Sequence, residues 1–174
     1  ADELAHRTEH SIEFQVVFLQ HLFASPKIVS VLCGAFRDAD GRPCPPDRAP
    51  GVPEFIAALR ETLQATSKRV CLVASVDFSH LGGRFGDRIQ MTPQFLGRVE
   101  REDLDTLGKA ASLDADAFHA DATTDNDRRH IDATPAVYTL LKALDLEEAK
   151  LLKYDQSVEA QTQSVVTFAS MVFR

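Results

Sequence analysis

Apolar residues along the chain follow two spacings. Between residues 9 and 24, Ile12, Phe14, Val16, Val17, Leu19, Leu22 and Phe23 form a broad apolar face at helical spacing, and Thr8 and Glu9 favour a helix start. Lys27 to Gly34 holds the run Ile28-Val29-Ser30-Val31-Leu32-Cys33, which predicts a short strand closed by Gly34. Arg37 to Pro53 carries five prolines and two glycines and predicts a surface loop. A helix is expected from Pro53 to about Ala65, with Pro53 in its first turn. Val70-Cys71-Leu72-Val73-Ala74-Ser75-Val76 is nearly continuous in apolar residues, the pattern of a strand buried on both faces. Strand, helix and strand in this order predict parallel neighbours joined by a right-handed crossover.

The second half alternates helices with loops before closing in strands. Pro93 to Ala111 reads as a long helix with charge on one face, and Asp114 to Ala120 as a short one. Thr124 to Asp132 is polar and loop-like. Thr134-Pro135 opens a further helix, with Val137, Leu140, Leu141 and Leu144 at helical spacing. Leu151 to Asp155 and Val165 to Phe173 read as closing strands; the alternation Val166, Phe168, Ser170, Val172 fits an antiparallel or edge strand. No internal repeat interrupts this order. The expected architecture is one α/β domain over residues 1–174, with a mainly parallel central sheet flanked by helices.

Composition narrows the function classes. A chain of 174 residues is long enough for a domain with a sizeable core. The net charge of −7 and the lack of a Lys/Arg run argue against nucleic-acid binding. No apolar stretch approaches the ~20 residues that span a bilayer, and no signal-peptide pattern opens the chain. Cys33, Cys44 and Cys71 form no CxxC pair, which fits a reducing, cytoplasmic setting; Cys33 and Cys71 are expected as buried thiols. The opening Ala1-Asp2-Glu3, without an initiator Met, is that of a processed protein, an expressed domain or a fragment of something longer.

Three clusters can carry chemistry. Asp77-Phe78-Ser79-His80-Leu81-Gly82-Gly83 follows the run 70–76 directly, where open α/β sheets bind their ligands. There Asp77 could ligate a metal or orient an imidazole, and His80 could act as general acid/base near neutral pH. The competing reading is an Asx-type turn with a solvated histidine. A serine hydrolase is disfavoured, because three triad residues within four positions rarely converge and no GxSxG elbow exists. Glu9-His10-Ser11-Ile12-Glu13 places a histidine and two acids near one face of a helix start. That suits a divalent metal, or acids complementing the helix dipole with His10 as a cap. His21 lies roughly 16 Å further along the axis, too far to share a metal, and reads as surface. Arg128-Arg129-His130-Ile131-Asp132 is either a solvated charged loop or an anion-binding turn with His130 or Asp132 directed inward. His6 and His119 have no evident partners.

Taken together, EHSIE at residues 9–13, SVDFSHLG at 75–82, the Ala133-Thr134-Pro135 helix start and the Ser164-Val165-Val166 strand resemble the Memo-like family. Its bacterial and archaeal members are usually called AmmeMemoRadiSam system protein B, and its fold is related to the class III extradiol dioxygenases. The resemblance covers nearly the whole chain. It implies a non-haem metal centre, with Fe(II) first and Zn or Cu as other candidates, in which His10 is a ligand. Asp77 and His80 would line the same pocket, His80 matching the dioxygenase acid/base histidine. Two departures bear on this. The family carries another ligand histidine in an N-terminal segment with the sheet's first strand, and this chain starts after it. A ligand cysteine of the family falls on Ile131, so Asp132 or His130 is the expected replacement. A histidine and carboxylate face with open positions is what Fe(II) oxygenases use. The implied functions are a non-haem iron oxidoreductase acting on a small molecule, or a non-catalytic metal- or ligand-binding accessory protein of a radical-SAM partner. Without the further segment, the chain is expected to bind metal poorly and to expose apolar surface that favours self-association.

Overall fold

The structure is a computed structural model that describes residues 3–174. The chain divides into two compact units, Ala1–Gly34 and Ala35–Arg174. In the first, a 3-10 turn at Glu3–Thr8 precedes helix α1 (Ser11–Leu22). The predicted helix is therefore present. Its apolar residues Phe14, Val17, Phe18 and Leu22 are exposed.

The second unit holds α2 (Val52–Ala65), β1 (His80–Gly82), α3 (Pro93–Ala111), α4 (Ala115–Ala122), the single turn α5 (Thr124–Asp127), α6 (Thr134–Ala143), β2 (Ala149–Glu159) and β3 (Ser164–Phe173). Helix starts follow local chemistry. The Thr92 hydroxyl accepts from the Phe95 N–H at 3.2 Å and the Asp114 carboxylate from the Ala117 N–H at 2.9 Å, each satisfying a donor that the first turn leaves without a partner. Proline stands in the first turn of α2, α3 and α6.

The sheet differs from the expected one. Its order is β1-β3-β2 and both pairings are antiparallel, with His80 opposite Val166 and Gln156 opposite Thr167. The segments 28–33 and 70–76, expected as parallel strands, carry no ladder among the described residues. A strand is defined by hydrogen bonds to a neighbour, and apolar content alone supplies none. Their side chains are correspondingly open: Val29 is 92% exposed, Val70 and Val73 each 54%. Cys33 and Cys71 lie in these segments and are exposed, not buried as expected.

The core of the second unit has two parts. Phe36, Phe118, Ile131, Tyr138 and Leu141 pack among α3, α4 and α6, while Leu81, Val99 and Val165 pack between β1, α3 and β3. At Gly82, φ is +110° and a Cβ would overlap the backbone of Gln163 and Ser164, so only glycine lets β1 lie this close to the β2–β3 turn.

Between these parts lies a buried ionic network. Asp103 of α3 is fully buried. Its Oδ1 accepts from Ser79 Oγ at 2.6 Å and Arg129 Nη1 at 2.8 Å, and its Oδ2 from Thr167 Oγ1 at 2.7 Å and Tyr154 OH at 2.9 Å. Arg129, also buried, donates from Nη2 to Thr106 Oγ1 at 2.7 Å. A buried carboxylate is tolerated only when paired and fully hydrogen-bonded, and here four donors converge on it. Replacing Asp103 by Ala leaves the buried Arg129 guanidinium with only the part-exposed Asp121 carboxylate, 3.4 Å from Nη2, and strands the Ser79, Tyr154 and Thr167 hydroxyls. The expected loss is about 3–5 kcal/mol in urea unfolding of the chain. Glu102→Ala removes two solvent-screened pairs, with Arg128 at 3.0 Å and Arg98 at 4.0 Å, and should change stability by less than about 1 kcal/mol. Equal effects of the two substitutions would refute this ranking.

Candidate functional site

The site is built where the network meets β1. Just before β1, two residues face one: Thr167 accepts from the Phe78 N–H at 2.8 Å and donates its own N–H to the Ser79 carbonyl at 3.0 Å. This is the arrangement of a β-bulge, which turns the chain locally and re-aims its side chains. The Ser79 N–H donates to Thr167 Oγ1 at 2.9 Å, and its hydroxyl turns inward to Asp103. Phe78 and Ser79 are both buried, which leaves Asp77 and His80 on either side to meet each other.

His80 is the centre of the group. Its Nε2 lies 3.3 Å from Asp77 Oδ2 and its Nδ1 lies 4.0 Å from Asp132 Oδ2. Nδ1 donates to the His130 carbonyl at 2.9 Å, and the His80 N–H donates to the Arg129 carbonyl at 2.8 Å. Phe85 meets the imidazole edge-on with ring centres 5.1 Å apart. One donor atom each from Asp77, His80 and Asp132 lie within 4.8 Å of one another, and both carboxylates are open to solvent.

The electrostatics follow from this geometry. The hydrogen bond to Asp77 raises the His80 pKa to about 9; burial opposes it, and the His130 carbonyl and the Asp77 and Asp132 charges add to it. Folding is therefore favoured by the protonated ring. That stabilisation is complete below the ordinary value of 6.5 and is lost as pH rises through about 9.

The other residues singled out from the sequence divide between the two units. Asp77, His80, His130 and Asp132 come together in the second. The His130 ring is not in the donor group; its Nδ1 donates to the His80 carbonyl at 3.2 Å. His10 lies in the first unit, at the N-cap position of α1, and its exposed side chain makes no cap hydrogen bond. The capping falls to Glu9, whose Oε1 accepts from the His10 and Ser11 N–H groups at 2.9 Å each. The Ser11 N–H, ahead of the others, lowers the Glu9 pKa. His21 is exposed, as expected. The arginines are paired with acids: Arg129 with Asp103 at 2.8 Å and Asp121 at 3.4 Å, and Arg128 with Glu102 at 3.0 Å and Asp125 at 3.8 Å. His119 does have partners, lying against the rings of Phe36 and Tyr138 with centres 5.7 and 5.9 Å away. Asp103 and Phe85 also belong to the site, without standing out as candidates in the sequence. For Asp103 the signal was present: Val99, Asp103, Thr106, Leu107 and Ala110 share one helical stripe, and an acid on an apolar stripe must be paired.

Comparison with known proteins gives a consistent result. The model of the family described as Memo-like protein matches residues 1–172. A MEMO1 family protein of Aquifex aeolicus is 34% identical over 172 residues, which is 99% of this chain and 42% of the relative. One of Thermococcus kodakarensis is 31% identical over 191 aligned positions, covering 99% of this chain and 59% of the relative. A third, from Methanococcoides burtonii, is 35% identical over 79 residues. The chain thus spans roughly half the length of these first two relatives.

Because the Asp77 contact is the largest cause of the raised His80 pKa, Asp77→Asn should lower it by roughly one unit or more. The imidazole Cε1–H resonance, followed by NMR against pH, reports the midpoint directly. A midpoint still near 9 in the variant would remove Asp77 from the electrostatics of the site.

Proposed function

Since the chain belongs to the Memo-like family, we propose that Asp77, His80 and Asp132 hold a divalent metal ion, Fe(II) first and Zn or Cu otherwise, in a non-haem centre for oxidative chemistry on a small molecule. The observation that carries this reading is the convergence of one imidazole and two carboxylates within 4.8 Å. The donor set fits such an ion. Imidazole and carboxylate oxygen suit Fe(II), and an imidazole that donates its other N–H to a backbone carbonyl is the arrangement usual for ligating histidines. Asp132 replaces the expected cysteine with a harder donor. When bound, the ion would supply Lewis-acid and redox chemistry. The chain's own residues do the rest: the His130 carbonyl orients His80, Phe85 shields one edge of the ring, and Asp77 keeps a proton on Nε2 until a ligand displaces it.

A finer reading of the fold accompanies this one. The segments 28–33 and 70–76 are each proposed to act as strands of a parallel sheet, with partners drawn from the further length that the relatives possess. Their apolar, exposed side chains support this.

Anaerobic titration of the chain with Fe(II), and separately with Zn²⁺, tests the centre. His80→Ala and Asp132→Asn should each weaken binding by roughly tenfold or more, while His21→Ala leaves it unchanged. The His10→Ala variant reads, in the same titration, the ligand role that resemblance assigns to His10. Equal affinities across the series would overturn the reading. The pH dependence has a definite sign. A metal that takes Nε2 must release its proton, so affinity rises with pH until His80 deprotonates near 9. Calorimetry in buffers of different ionisation heat should detect the released proton.

A further inference from the structure

His80 and His130 are bound to each other twice across 50 residues of sequence. His80 Nδ1 meets the His130 carbonyl at 2.9 Å, and His130 Nδ1 meets the His80 carbonyl at 3.2 Å. A carbonyl oxygen only accepts, so each contact requires a proton on the ring nitrogen. His130 also adopts the left-handed backbone conformation, with φ +49°. Non-glycine residues seldom do so unless their surroundings impose it, and such residues cluster where a site needs an unusual direction. The surroundings here are well defined. The His130 N–H donates to the Asp127 carbonyl at 2.9 Å, the Ile131 N–H donates to Asp127 Oδ1 at 3.0 Å, and the preceding Arg129 is pinned to Asp103.

We propose that His130 is a positioning residue for His80: its left-handed backbone turns the His130 carbonyl onto Nδ1 of His80 and so makes Nε2 the nitrogen presented to Asp77. The side chain expected from sequence to be a ligand thus acts chiefly through its main chain. This deepens the metal-site reading and rests on it only for the function of Nε2; the backbone lock itself does not depend on any metal.

The test separates backbone from ring. Glycine and asparagine accept the left-handed conformation, whereas a β-branched valine is strongly disfavoured there. In the metal-free 15N-labelled chain, read with the imidazole neutral, long-range 1H–15N spectra should show His80 protonated on Nδ1 and bare at Nε2. His130→Gly and His130→Asn should keep that tautomer. His130→Val should lose it, and its Zn²⁺ affinity should fall roughly tenfold below that of the glycine variant. A wild-type His80 protonated on Nε2 when neutral, or a folded valine variant with the wild-type tautomer, would overturn the proposal. If circular dichroism shows the valine variant unfolded, the wild-type and glycine tautomers still decide, because loss of the Nδ1 proton in His130→Gly would show that the ring, not the backbone, does the positioning. Absence of Zn²⁺ binding by the wild type would sink the metal reading and leave the tautomer result standing.

Discussion

The carboxylate of Asp103 lies out of water at the junction of α3, the segment before β1, β2, β3 and the loop that follows α5. Removing such a charge from water costs several kcal/mol, and only convergent donors offset it. Ser79, Arg129, Tyr154 and Thr167 are therefore held at fixed positions around one side chain. Two of them bracket the candidate centre. Ser79 precedes His80 directly, and the Arg129 carbonyl receives the His80 N–H. The position of the imidazole is thus set by an ion pair that it does not touch.

Two departures from regular backbone serve the same side chain. The bulge at Phe78-Ser79 sends consecutive residues into the core, so that Asp77 and His80, three apart, meet at 3.3 Å. The left-handed residue at 130 supplies the carbonyl that occupies Nδ1. Between them they leave one imidazole nitrogen facing a solvent-open acid. With Asp132 nearby, the imidazole lies between two solvent-open acids, an arrangement that favours its protonated form.

Much of this was readable in the sequence. Helices α3 and α6 were placed from periodicity, proline and the residues at their starts, because local chemistry determines them. The pair Asp77–His80 was singled out from its place after an apolar run. Val70–Val76 has strand composition, yet a ladder needs a neighbour, and none is present among the described residues. Asp132 was reached by resemblance and exclusion of Ile131. The His130 carbonyl contact to His80 was not legible, since periodicity says nothing of a left-handed φ or of where a carbonyl points. Asp103 was lost among the acids of α3, its stripe position outweighed by the charge of its neighbours.

The donors to Asp103 are widely separated along the chain, Ser79 and Thr167 by 88 residues. Closing so long a loop is entropically expensive and slow relative to forming α3 or α6. A chain made from its N-terminus exposes residues 77–80 and then 129–132 well before β3 emerges from the ribosome. Until then Asp103 has Arg129 but not Thr167, and the bulge that aligns Asp77 with His80 has nothing to form against. The geometry around the imidazole is therefore among the last features of this unit to be completed during synthesis, because the residues that bracket it wait for a strand that follows them by more than thirty positions.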